Sequence, residues 1–171
     1  MIETKHGNVL DVPRGIIVHG CNAQGVMGSG IALEVKNRFP EVYNLYRSHH
    51  IDKRGLVLGD IHYVEVSDDK FIVNAITQNL FWRPGSGDRF ISYDAIVECF
   101  EKVRDLAVHL STHRATESEP YPVEVLFPLI GAVRGGGNWQ IIEKIIDETI
   151  PDKLGIKKTL YLFDQSDHSH K

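Results

Sequence analysis

Twice in this chain an apolar run leads into a glycine-rich turn, and each turn leads into a helical repeat. The first unit is Ile16-Ile17-Val18, then the stretch from His19 to Gly30, then Ile31, Val35 and Phe39 at helical spacing. The second is Val123, Val125 and Phe127, alternating up to Pro128, then Gly131 to Gly137, then Trp139, Ile142, Ile146 and Ile150. Strands alternating with helices make an α/β fold with a largely parallel central sheet and helices on both faces. In such sheets ligands bind beyond the carboxyl ends of the strands, so both turns open on the same edge. Backbone N–H groups at a helix start bind anions, and glycines let a phosphate approach the main chain. A single turn of this kind is explained by tight-turn geometry alone. Two of them, with Gly135-Gly136-Gly137 in the second, point to a phosphorylated ligand.

The remaining elements fill in the same order. Ile2 to Lys5 reads as a first strand ended by His6-Gly7-Asn8, and Gly15 to His19 as a buried one. Pro40 breaks the first helix, and Glu41 to His50 forms a second. Ile61 to Val66 and Phe71 to Ile76 are strands around the turn Ser67-Asp68-Asp69-Lys70. Asn79 to Phe90 is a loop, and Ser92 caps a long helix that runs to about His113. Arg114 to Tyr121 is an exposed loop, and Asn138 caps the helix from Trp139 to Ile150. Lys157 to Phe163 is the last strand, and residues 164–171 a flexible, solvated tail.

At 171 residues, 42% hydrophobic and 25% charged, the chain is expected to form one globular domain. A net charge of -4 argues against a nucleic-acid partner, which wants a basic face. The nine histidines are too scattered for a metal-binding tract, and no metal or cofactor is expected. Two cysteines make no disulfide framework, and no apolar stretch reaches the length of a membrane span. A cytoplasmic protein is the expectation, and the oligomeric state stays open.

Neither loop carries a common nucleotide fingerprint. Gly-x-x-x-x-Gly-Lys-Ser/Thr is absent, and Gly25-x-x-Gly28-x-Gly30 is not the Gly-x-Gly-x-x-Gly of dinucleotide folds. Val18-His19-Gly20-Cys21-Asn22 followed by Gly28-Ser29-Gly30-Ile31-Ala32 instead resembles the first ligand loop of the macrodomain. Pro128-Leu129-Ile130-Gly131, the glycine run and Asn138-Trp139 are similar to its second, phosphate-wrapping loop. Gly7-Asn8-Val9 and the final strand Leu160-Tyr161-Leu162-Phe163 fit as well, so the resemblance covers nearly the whole chain in order.

The resemblance implies a single three-layer α/β/α sandwich on a mixed, largely parallel sheet, with an ADP-ribose derivative as small-molecule partner. The diphosphate would lie between Gly28, Ser29, Gly30 and Ile31 on one side and Ile130, Gly131, Val133, Arg134, Gly135, Gly136 and Gly137 on the other. Asn22 matches the asparagine that positions the distal ribose. Asn8 and Val9 stand at the adenine turn, where the family has aspartate in place of Asn8, and Tyr161 and Phe163 flank the base. Phe163 equally fits a strand residue and Arg134 equally a solvent-facing arginine, while the loop of Arg83, Asp88 and Arg89 is placed to close over the distal ribose but reads better as a solvated loop. Cys21 lies within the first loop but has no evident partner to lower its pKa, so its thiol reads as packing.

For chemistry, one branch of the family uses a lysine after the strand that here ends Ile76-Thr77, and this chain has Gln78. A neutral amide cannot replace an attacking amine. The His-x-Cys-Asn order and Asn8 resemble the yeast-type ADP-ribose 1''-phosphate phosphatases. That resemblance implies hydrolysis to ADP-ribose and phosphate, with His19 as acid or base and Asn22 orienting the ribose. The rivals are a structural histidine in a non-catalytic ADP-ribose reader, and an ester-type ADP-ribosyl hydrolase using substrate-assisted water attack.

Overall fold

The computed structural model describes residues 1–80, 90–133 and 135–163. Arg83, Asp88, Arg89, Arg134 and the expected tail from Asp164 to Lys171 lie outside the described residues. Strands β1 (Glu3–His6), β2 (Gly15–Asn22), β3 (Ile61–Ser67), β4 (Lys70–Gln78), β5 (Glu124–Phe127) and β6 (Lys157–Leu162) form one sheet in the order β1-β6-β5-β2-β4-β3. Every neighbouring pair is parallel except β3 on β4, which the turn at Asp69 makes antiparallel.

Helices α1 (Gly30–Arg38) and α2 (Pro40–Ile51) cover one face, and α3 (Tyr93–His113) and α4 (Trp139–Thr149) the other. The alternation of β2 explains the split. Ile16 and Val18 turn towards α3 and α4 and pack with Phe100, Val103 and Ile142, whereas Ile17 faces Val35 and Val42 of α1 and α2. Each large apolar side chain buried in these layers contributes about 1.5–3 kcal/mol. The result is a three-layer α/β/α sandwich.

Local signals set the helix ends where the sequence suggests. The Ser92 side chain accepts from the Ala95 N–H, and the Asn138 side chain from the Gln140 N–H. Most strand ends differ by a residue or two, and two of the differences bear on the site. β6 ends at Leu162, which leaves Phe163 beyond the strand and half exposed. β2 runs to Asn22 rather than His19, because its pairing with β4 continues through Gly20↔Ala75 and Cys21↔Ile76 to Asn22↔Gln78. His19 therefore sits inside the sheet instead of at its rim.

Candidate functional site

The first loop leaves β2 at Asn22 and is held by that residue's own side chain. Its Oδ1 accepts from the N–H groups of Gln24 (3.0 Å) and Val26 (3.3 Å), and its Nδ2 donates to the Val26 carbonyl (2.7 Å). The Tyr46 hydroxyl on α2 shares its proton between the Asn22 carbonyl (2.7 Å) and Oδ1 (2.9 Å). Nothing in the sequence marked Tyr46 for this; it reads there as one more apolar-face residue of α2. Asn22 is thereby 8% exposed and acts first on the loop's shape.

The loop delivers Gly28, Ser29 and Gly30 to the start of α1. Ser29 is extended and makes no capping hydrogen bond through its side chain. The first N–H groups of α1 have no partner within the helix, and the dipole favours an anion there by about 0.3–1 kcal/mol. Gly30 has φ +57, and a Cβ built on it meets nothing within 4 Å, so the open space lies directly in front of the helix.

The second loop leaves β5, the neighbour of β2, at the same edge of the sheet. Ile130 is buried, Val133 is exposed, and Gly135 packs inward. The Gly135 carbonyl accepts from Phe90 (2.8 Å) and Ile91 (3.2 Å), and the Gly131 carbonyl from Gly137 (2.8 Å). Ile91 sits beneath this loop so closely that a Cβ on Gly131, at φ +70, would fall 1.6 Å from its Cδ1. Nothing in the sequence marks Ile91 for this part; its contact with the loop is long-range and carries no motif. Gln78, at the end of β4, points its Nε2 at the Leu80 carbonyl (2.6 Å), and a Cβ on Gly135 would lie 3.2 Å from its Oε1.

At the carboxyl end of β1, on the same edge of the sheet, Asn8 caps the turn Val9–Asp11 by accepting from the Leu10 N–H (3.0 Å). Its Nδ2 donates to Glu34 of α1 (2.7 Å), Val9 is buried, and Tyr161 is partly exposed beside Gly7.

His19 corrects an expectation. From sequence it points towards the ribose; in the structure it has no exposed surface, and its ring lies between the sheet and α2. Its Nε2 is 2.6 Å from Asn74 Oδ1, and burial pushes its pKa down to about 4 against the opposing effect of that bond. Enclosed in this way, with its pKa lowered to about 4, the imidazole is neutral near pH 7. Cys21 is also buried, among Met27, Tyr46 and Ile76, and burial followed by the charge of Cys99 pushes its thiol pKa far above the usual range. It offers the loop packing, not a nucleophile.

A half-open cavity of about 230 Å³, lined by residues such as Arg14, Ile16, Phe71 and Tyr121, opens at the opposite end of the sheet. Gly15 begins β2 there while Asn22 ends it, so this cavity is separate from the glycine loops. Among the described residues no helix is long and apolar enough to cross a membrane.

No protein-family model matches the chain. It is 27% identical over 165 residues to a DNA ADP-ribosyl glycohydrolase of Thermus aquaticus, covering 94% of this chain and 41% of that protein. The chain thus spans about two fifths of the length of the DNA ADP-ribosyl glycohydrolases it matches. An uncharacterised 17.5 kDa protein of Enterobacteria phage T4 is 31% identical over 144 residues, with 82% of each chain covered. An ADP-ribose 1''-phosphate phosphatase of Meyerozyma guilliermondii is 28% identical over 147 residues, covering 77% of this chain and 82% of that one. Among solved structures, a macrodomain protein from Streptomyces coelicolor superposes with a TM-score of 0.72 at 26% identity, over 95% of this chain and 99% of that one.

Proposed function

We propose, since the chain belongs to the macrodomain family, that it binds ADP-ribose derivatives between its two glycine loops and hydrolyses ADP-ribose 1''-phosphate to ADP-ribose and phosphate. One observation carries the binding half. The start of α1, uncapped by Ser29, stands at the end of β2 beside the glycine loop of its parallel neighbour β5. A diphosphate would satisfy the free N–H groups of Gly30 and Ile31, with the backbone from Gly135 to Gly137 closing from the other side. Arg134 is proposed as a further contact to the distal phosphate. The adenine would lie against Asn8 and Val9, flanked by Tyr161 and Phe163, and the distal ribose towards Asn22.

In the hydrolysis, water adds to phosphorus, the P–O1'' bond breaks, and the 1''-oxygen takes up a proton. His19 enters as a positioning residue: its buried ring ties β2 to β4 under the loop that Asn22 shapes. Attack by a lysine, as in one branch of the family, has no group to carry it where Gln78 stands.

The burial of His19 favours one second reading, a binding module without turnover. Calorimetry with ADP-ribose beside a phosphate-release assay on ADP-ribose 1''-phosphate separates the two. Binding with release supports the phosphatase, and binding without release supports the reader. No binding of either compound overturns both.

A further inference from the structure

Among the described residues, two buried side-chain nitrogen or oxygen atoms lack a hydrogen-bond partner, His62 Nδ1 and Thr77 Oγ1. Thr77 is fully buried as the penultimate residue of β4, and its main-chain carbonyl is satisfied by the Ser92 N–H at 2.9 Å. Only the hydroxyl is left over. Buried hydroxyls are almost always paired, because a valine of nearly the same shape would fill the space without the loss of hydration.

The position of this hydroxyl explains it. The register of β2 and β4 shifts between Cys21 and Asn22, so that Cys21 faces Ile76, Asn22 faces Gln78, and Thr77 falls between. The hydroxyl leans towards Gly20, which is partly exposed: a Cβ built on Gly20 would lie 3.0 Å from Thr77 Oγ1 and 3.2 Å from Ile130 Cγ2. The next residue, Gln78, abuts Gly135. Thr77 therefore sits where the end of β2, the end of β4 and the beginning of the second loop meet, with no side chain at residue 20 to cover its hydroxyl.

We infer that Thr77 Oγ1 is a ligand contact that receives an oxygen of the distal end of the bound molecule over Gly20. It would donate to a phosphoryl oxygen or exchange hydrogen bonds with a ribose hydroxyl; both are oxygen groups on a sugar phosphate. This inference rests on the reading of the cleft as an ADP-ribose site. Gly20 serves it by placing no side chain over the hydroxyl, which has no exposed surface here and meets the ligand only as the atoms around it shift; a Cβ at residue 20 would crowd Thr77 Oγ1 at 3.0 Å and Ile130 Cγ2 at 3.2 Å.

The test compares Thr77→Val, Thr77→Ser and Gly20→Ala with the unaltered protein by thermal melting, calorimetry and phosphate release. Thr77→Val is expected to melt at or above the wild-type temperature, because an isosteric side chain removes an unpaired hydroxyl, and to bind about tenfold more weakly. Equal weakening for ADP-ribose and its 1''-phosphate assigns the contact to a ribose hydroxyl; weakening of the 1''-phosphate alone assigns it to the phosphoryl group. Thr77→Ser is expected to stay within about threefold of wild type, since it keeps the hydroxyl. Gly20→Ala, which interposes a methyl group, carries the same expectation of weaker binding should Thr77→Val not fold. Wild-type binding by Thr77→Val overturns the inference whatever its melting temperature, and so does wild-type binding by Gly20→Ala. Failure of the unaltered protein to bind either compound is a different result, which removes the ADP-ribose reading and this inference with it.

Discussion

His19 Nε2 and Asn74 Oδ1 lie 2.6 Å apart across β2 and β4, and neither residue has any exposed surface. A carboxamide oxygen only accepts, and the Asn74 Nδ2 donates to the Val42 carbonyl of α2 at 3.2 Å. The ring is thereby the Nε2–H tautomer, and the Cys21 sulfur lies beside it, 3.8 Å from Nδ1 and 3.7 Å from Nε2. One neutral hydrogen bond joins two strands and, through Asn74, a helix.

The pair makes the fold acid-sensitive. The folded ring takes a proton only near pH 4, whereas the unfolded chain takes it near 6.5, so between these values the unfolded state binds more protons. The contribution is full above pH 6.5 and is lost as pH falls towards 4, about 3 kcal/mol in all. His62, lowered to about 4 by burial and then by His49, adds a smaller loss of the same sign because it is only partly buried. Urea unfolding followed from pH 7.5 to 5 checks this: the midpoint falls in wild type, and falls less in His19→Gln. An equal slope in both refutes it.

If His19 acts only through position, it leaves no mark on the pH dependence of turnover. His19→Gln is expected to keep the wild-type profile of kcat against pH while lowering kcat by less than about tenfold. An ionisation between pH 6 and 7 that disappears in His19→Gln would restore an acid–base part to the ring.

Gly30 and Gly131 both have positive φ, at +57 and +70, but a methyl group would meet different surroundings. Gly30→Ala meets open space, so its cost in stability is about 1–2 kcal/mol of backbone strain. Its effect on ADP-ribose is expected to be larger, since the methyl group stands where the phosphate approaches. Gly131→Ala strikes Ile91 and is expected to cost more stability and displace the loop. Calorimetry beside urea melts checks the contrast: Gly30→Ala loses affinity out of proportion to stability.

Lys158 lies at the other end of the sheet, 1% exposed, donating to the Ile150 carbonyl (2.6 Å) and paired with Asp147 and Asp152. Lys158→Ala is expected to cost about 3 kcal/mol, since it leaves the buried Ile150 carbonyl without its donor and takes from Asp147 and Asp152 one of their two cations, the other being the amino group of Met1. ADP-ribose affinity should stay unchanged, because the loops are at the opposite edge. A large loss of affinity with an intact melt would contradict this.

Local signals made much of the fold legible from sequence. Ser92 and Asn138 announce their helices through side chains that bond two or three residues away, and the glycines of both loops mark the turns directly. His19 was misplaced because the length of β2 is decided by β4, more than fifty residues on, and not by β2 itself. Tyr46, Ile91 and Thr77 stayed hidden for the same reason. Each owes its part to a neighbour that only the assembled sheet supplies, and each looks in sequence like an ordinary core residue.

Ser29 differs from Ser92 and Asn138 in leaving its helix uncapped. Those two helices carry their own termination. If the proposed anion settles on Gly30, Ile31 and Ala32, α1 takes its termination from the ligand. Binding and ordering of that turn are then one event, and the amide protons of these three residues would report occupancy by the slowing of their exchange with solvent.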